Sequence, residues 1–147
     1  MVTQIAAAAH VCFDAARSLD GHVQSASFSN ESLVAPGKLA GYLELGDLVC
    51  FEGRHLGVKQ RFCARITEMD PPNRFTDEMV RGAFHSLRHV HIFEESAGST
   101  TMIDVLEWTA PLGPLGRLAD RLFLERHMTW FVTTKQAALK RMIEAKQ

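Results

Sequence analysis

The chain has no excess charge of either sign, few cysteines and no long apolar run. Its 16 Lys and Arg stand against 17 Asp and Glu, a formal charge of −1. No long-range field draws such a chain to nucleic acid or to an anionic membrane, so nucleic acid is not an expected partner. No stretch of about 20 apolar residues is present to span a bilayer, and stable membrane insertion is not expected. The apolar start, Ile5 to Ala9, is short and lacks a basic leader, which argues against a signal peptide. The three cysteines, Cys12, Cys50 and Cys63, are odd in number, widely spaced and free of any C-x-x-C. That pattern predicts neither a disulfide framework nor a cysteine zinc site, and it points to a reducing cytoplasm. Also missing are a Walker loop, G-x-G-x-x-G, G-x-S-x-G and H-E-x-x-H. No Ser or Cys has a recognisable activating partner. No cofactor and no resident metal are predicted.

What is present suits an ordinary soluble domain. The 147 residues are 46 % apolar and 22 % charged, enough for one domain over 1–147 with its own core. Val2 to Ile5 reads as a short strand. Ala8 to Leu19 reads as a helix with Val11, Cys12, Ala15, Ala16 and Leu19 along one side, stopped by Asp20-Gly21. Glu31 to Val34 has strand character. Leu48 to Arg54 and Val58 to Met69 form a hairpin around His55-Leu56. In that register Phe51 faces Gln60 and Val49 faces Phe62. One face then carries Val49, Phe51, Val58, Phe62, Ala64 and Ile66. The other carries Cys50, Glu52, Arg54, Lys59, Arg61, Cys63 and Arg65. A one-residue slip would mix the two faces.

Asp70-Pro71-Pro72-Asn73 is a turn, and strands follow over Arg74 to Arg81, Phe84 to Glu94 and Ser99 to Ala110. Short turns between consecutive strands imply an antiparallel meander. From Leu115 the apolar residues recur at helical steps through Leu118, Leu122, Leu124, Met128, Phe131, Val132, Leu139, Met142 and Ile143. No Gly or Pro interrupts Arg117 to Gln147, so one long amphipathic helix is expected. The expected fold is α+β, a curved antiparallel sheet wrapped around that helix, with two short helices near the N-terminus.

Three blocks of text carry a family resemblance. They are Leu45-Gly46-Asp47, "GRHLGVKQRFCARITEMDPPNRFTDEMVRGAFHSLRHVHIFE" from Gly53 to Glu94, and Thr101 to Asp104 with "APLGPLGRLAD" from Ala110 to Asp120. With these the chain resembles the SRPBCC superfamily, the START-like helix-grip proteins that include polyketide cyclases and dehydrases. The resemblance implies a hollow between sheet and helix. Members bind lipids, sterols, polyketides or hormones there, and some catalyse cyclisation or dehydration. It carries over no catalytic position. The chain departs from the pattern at Ala6-Ala7-Ala8, where related chains often have an Ala-Pro entry; the expected effect is local, on how the first helix starts.

Candidate site residues follow from strand and helix faces. His89 and His91 share a strand face. If Glu94 pairs with Ser99, His89 faces Asp104, His91 faces Met102 and His85 faces Trp108. A carboxylate beside an imidazole fixes its tautomer and raises its basicity, so His89 with Asp104 is the candidate acid–base pair. The competing reading is a structural cross-strand pair. A metal on these histidines would need Asp104 or a remote residue as third ligand. Either Leu87, His89, His91, Phe93, Met102, Asp104, Leu106 and Trp108 point inward, or Val90, Ile92, Ile103 and Val105 do, with Arg88; the first face, with its larger aromatic and sulfur-containing surface, is preferred. Asp77 and Arg81 count onto the apolar face opposite Ile66 and Phe62, as a ligand anchor or as a salt bridge with each other or Arg88.

The predicted ligand-binding set is Phe51, Phe62, Asp77, Met79, Arg81, His89, His91, Met102, Trp108, Phe123, Met128 and Phe131. Arg117, Arg121, Arg126, Lys135, Lys140 and Arg141 are assigned to the solvated face of the helix. The leading function is binding of a hydrophobic or amphipathic small molecule. The alternative is a cyclase or dehydrase using His89 and Asp104. A third reading is an interaction protein whose hollow is filled by side chains. A homodimer is the one protein partner left open.

Overall fold

The computed structural model describes residues 1–55, 57–110, 113 and 123–146. Among these, strands are β1 (Val2–Ile5), β2 (Ser32–Leu33), β3 (Leu48–His55), β4 (Val58–Asp70), β5 (Arg74–Arg81), β6 (Ser86–Ser96) and β7 (Ser99–Thr109). Helices are α1 (Ala9–Arg17), α2 (Leu19–Ser25) and α3 (Glu125–Glu144), with a single 3-10 turn at Ser27–Ser29. The strands form one curved antiparallel sheet in the order β1-β7-β6-β5-β4-β3-β2, with α3 across its concave side. This is the α+β helix-grip arrangement. Extra residues at Thr67 and Val80 bulge the β4–β5 ladder, and bulges bend and twist a sheet locally.

Both hairpins close two residues away from the sequence reading. In the first, His55 pairs with Val58, so Phe51 faces Phe62 and Val49 faces Ala64. In the second, Ser96 pairs with Ser99 around Ala97 and Gly98, which have φ of 51° and 78°. Two successive positive φ values make a type I′ turn, whose twist matches a hairpin. A two-residue shift leaves every side chain on its expected face and changes only its partner. One consequence overturns an expectation: Cys50 lies opposite Cys63, and the two are joined in a disulfide. Cys12 is a free, buried thiol.

The helices start where local chemistry permits. Ala8 offers α1 no side-chain cap, and the Glu95 carboxylate at the end of β6 accepts from the Ala9 N–H at 2.7 Å instead. Asp20-Gly21 does not stop the chain. The Ser18 hydroxyl accepts from the Gly21 N–H and caps a second helix through those residues. Helix α3 buries Val132, Gln136, Leu139 and Ile143, at steps of four, three and four. Leu139 and Ile143 join the core with Ile5, Cys12, Phe13, Phe75, Phe93 and Met102. Phe13 meets Phe75 and Phe93 edge-on at 5.6 and 5.7 Å. Each such buried side chain contributes about 1.5–3 kcal/mol relative to exposure. The predicted helical residues Leu115, Leu118 and Leu122 lie outside the described residues, as do Arg117, Arg121 and Gln147. No described helix is long and apolar enough to cross a membrane.

Candidate functional site

The second half of α3 is seated on the core, whereas its first half arches over a pocket of about 340 Å³. Leu124, Met128, Phe131 and Lys135 recur at steps of four, three and four and face the pocket. Opposite them the inner face of the sheet supplies Phe51, Phe62, Ile66, Phe75, Leu87 and Met102. The walls are mostly apolar; besides Ser25, Gln60, Arg61 and His127 they carry two hydrogen-bonded groups of polar side chains.

The first group sits on the middle strands. Register places Asp77 opposite His89 and His91 opposite Asp104, and alternation turns all four inward. His89 Nε2–H donates to Asp104 Oδ1 at 2.7 Å, and His91 Nδ1 lies 2.6 Å from the same oxygen. The other edge of each ring faces Asp77 Oδ2, at 3.2 Å from His91 Nε2 and 3.8 Å from His89 Nδ1. The Gln136 amide donates a short hydrogen bond to Asp104 Oδ2, and Thr3 Oγ1 donates to Gln136 Oε1 at 3.0 Å. His91 stacks on Phe75 at 4.2 Å.

Burial pushes the His91 imidazole down, but the charge of Asp104 and hydrogen bonds to both carboxylates override it and lift the group to about 9. For His89, burial and then the neighbouring His91 charge win over Asp104, and its pKa is lowered. Burial alone would raise both carboxyls. His91 and His89 outweigh it, so Asp77 is lowered and Asp104 is held well below the usual carboxylate range. His91 is therefore the imidazolium of the cluster and His89 the neutral base, with its proton-free Nδ1 on the side away from Asp104.

The second group lies toward α2. Lys135 Nζ lies 2.7 Å from His22 Nδ1 and 3.0 Å from Nε2, and Nε2 is 3.1 Å from Glu31 Oε2. His22 stacks flat on Phe51, with ring centroids 3.9 Å apart. Glu31 reaches this place over Gly53, where an added Cβ would come within 2.8 Å of the Glu31 side chain. Burial lowers the Lys135 ammonium against the pull of Glu31, Asp77 and Asp104.

Eight of the predicted ligand-binding residues line the pocket: Phe51, Phe62, Asp77, His89, His91, Met102, Met128 and Phe131. Four do not. Met79 and Trp108 line a neighbouring groove with His85. The bulge at Val80 moves Arg81 from the inner register to a place opposite Cys63, where it is exposed. Phe123 is 65 % exposed. Asp77 is partnered by the two histidines and not by Arg81 or Arg88, since Arg88 meets Glu68, Glu78 and Glu107 on the outer face. Lys135, assigned from sequence to the solvated face, belongs to the pocket. His22, Glu31 and Gln136 were missed. The available signal for Gln136 was its position: it fills the gap at helical spacing between Val132 and Leu139.

No family model and no curated protein matches the chain. Solved structures do. TTHA0849 from Thermus thermophilus superposes with a TM-score of 0.80 at 18 % identity, over 100 % of this chain and 97 % of that one. The Zhui aromatase/cyclase of a Streptomyces species gives 0.78 at 13 % identity, over 98 % and 91 %. Ginseng major latex-like protein 151 from Panax ginseng gives 0.64 at 13 % identity, over 97 % and 95 %. At these identities the likeness is one of fold. The curved sheet, the C-terminal helix across it and these neighbours together identify the fold as the α+β helix grip that the chain shares with the Zhui aromatase/cyclase.

Proposed function

We propose that this chain, as one domain over 1–147, binds a hydrophobic or amphipathic small molecule between α3 and the sheet. The observation that carries the reading is the pocket itself, about 340 Å³ with apolar walls and a few convergent polar groups. Such a space suits a ligand that buries a hydrocarbon or aromatic body and offers one or two oxygens. Lys135, whose ammonium has more protons than the one it gives His22, supplies the donor for those oxygens, and Met102 and Met128 adapt to its shape. The open pocket weighs against a protein whose hollow is filled by its own side chains. The Cys50–Cys63 bond removes the argument from cysteine usage for a reducing cytoplasm.

The test is a thermal-shift screen of fatty acids, aromatic polyketides and terpenoids against the native protein and Phe131→Trp, which narrows the pocket. Stabilisation of the native protein by one class, weakened in the variant, is expected. No stabilisation by any class sinks the reading.

A second reading has its own support. His89 is the neutral base of the cluster, oriented by Asp104 at 2.7 Å and facing the pocket, as an acid–base residue of a cyclase or dehydrase requires. It predicts that His89→Ala abolishes turnover of a bound polyketide while binding survives. Equal loss of both would remove it.

A further inference from the structure

We propose that Asp77, His89 and His91 form a binding site for one divalent first-row transition-metal ion, with Asp104 orienting both imidazoles from behind. One potential ligand atom from each of the three residues lies within 4.8 Å of the others. The geometry around them is more specific than that proximity. Each ring presents one nitrogen to Asp77, at 3.2 and 3.8 Å, and the opposite nitrogen to a single oxygen of Asp104, at 2.6 and 2.7 Å. A metal-ligating histidine characteristically gives its remaining ring N–H to a carboxylate, which fixes tautomer and ring orientation. Here one buried carboxylate does this for two rings, and an ion would displace to solvent the proton that His91 Nε2 holds toward Asp77. Asp104 is itself held by Gln136, and Gln136 by Thr3.

The framework is rigid as well. The three donors stand on paired residues of adjacent strands, Asp77 directly opposite His89, with His91 two residues along the same strand. Bonds of about 2.0–2.1 Å to a tetrahedral centre place neighbouring donors about 3.3 Å apart. The observed 3.2 and 3.8 Å from Asp77 lie within about half an ångström of that spacing, and the donors as a set lie within 4.8 Å of one another.

Two imidazoles and one carboxylate suit zinc, iron, cobalt or nickel better than magnesium or calcium, which favour oxygen sets. Three protein donors leave the remaining coordination positions toward the pocket. An ion there would polarise an oxygen of a bound molecule or a bound water. The inference uses the pocket of the proposed function but needs no organic ligand, so each can fail alone.

The experiment is titration of chelator-stripped full-length protein with Co²⁺, read by visible absorption, and with Zn²⁺, read by calorimetry. One equivalent of each is expected to bind. His89→Ala and Asp77→Ala should weaken binding by about 100-fold or more, and Asp104→Asn by about 10–100-fold. His10→Ala, exposed on α1, should leave it unchanged. Should the pocket variants fail to fold, proton NMR of the unsubstituted protein decides. Co²⁺ should shift and broaden the ring signals of His89 and His91 before those of the other histidines. Absence of binding to the native protein, affinity unchanged in folded variants, or earlier broadening elsewhere would overturn the proposal.

Discussion

Acidification should remove a definite share of the stability through His22. Its ring is stacked on Phe51, with Lys135 Nζ 2.7 Å from Nδ1 and 3.0 Å from Nε2, and Glu31 Oε2 3.1 Å from Nε2. Only 19 % of the side chain is exposed. Burial first, then the Lys135 charge, push the imidazole down from 6.5 to about 4, against the pull of Glu31. The folded value is thus below the unfolded one, and between the two the unfolded chain binds more protons. Stability from this group is complete above about pH 6.5 and is lost as pH falls toward about 4. Each pH unit inside that window is worth about 1.4 kcal/mol, so most of the gap is crossed by about pH 4.5, for a loss near 2.5 kcal/mol. The control is His22→Gln, whose amide can accept from Lys135 and donate to Glu31 but does not titrate. Urea unfolding of both proteins at about pH 7.5 and 4.5 gives the difference of differences, in which the remaining carboxylates and histidines largely cancel. The native protein should lose about 2.5 kcal/mol more than the variant. Equal losses, or a His22 ring signal that titrates near 6.5 in the folded state, would refute the reasoning.

Two further outcomes test the packing of the site and the turn that sets its register. Gln136→Leu keeps the volume of a buried helix position but strips Asp104 Oδ2 of its amide donor. Equilibrium unfolding should show a loss of about 1–3 kcal/mol, the usual cost of an unsatisfied buried acceptor, despite the more apolar side chain. Ala97 sits at φ 51° in the β6–β7 turn. A left-handed conformation costs a residue with a Cβ about 1–2 kcal/mol, so Ala97→Gly should raise the urea midpoint by the equivalent of about 1 kcal/mol after the glycine entropy is subtracted.

Much of the fold was legible because strand faces are a property of alternation alone. Phe62 and Ile66 had to share one side of β4 and Arg61 and Arg65 the other, and any two-residue shift of the hairpin keeps Phe51 with the first pair and Cys50 with the second. Helix α3 was legible through its apolar period. The N-terminal helices were less so, because a cap at Ser18 restarts the helix at the Asp20-Gly21 pair that reads as a stop. The start of α1 was read from the apolar period, but its anchor was not, since the carboxylate of Glu95 is 86 residues away in sequence.

Partners were not legible, and for the site they decide the chemistry. Hairpin register moves in steps of two without disturbing the faces, so only turn chemistry could have chosen among the alternatives. Ala97-Gly98 is a weak signal beside Asn-Gly or Asp-Gly, because its first residue has no polar side chain to favour positive φ. Read two residues away, His89 faces Asp104 and the site is a single acid–base pair. In the structure His91 faces Asp104, His89 faces Asp77, and both rings reach both carboxylates. The same two-residue step puts Cys50 opposite Cys63 in the other hairpin. A pair of strands with correct faces and a slipped register would thus keep the core intact and take apart the polar cluster. Fold and site in this chain therefore answer to different constraints: the first to which side chains are apolar, the second to where each turn closes.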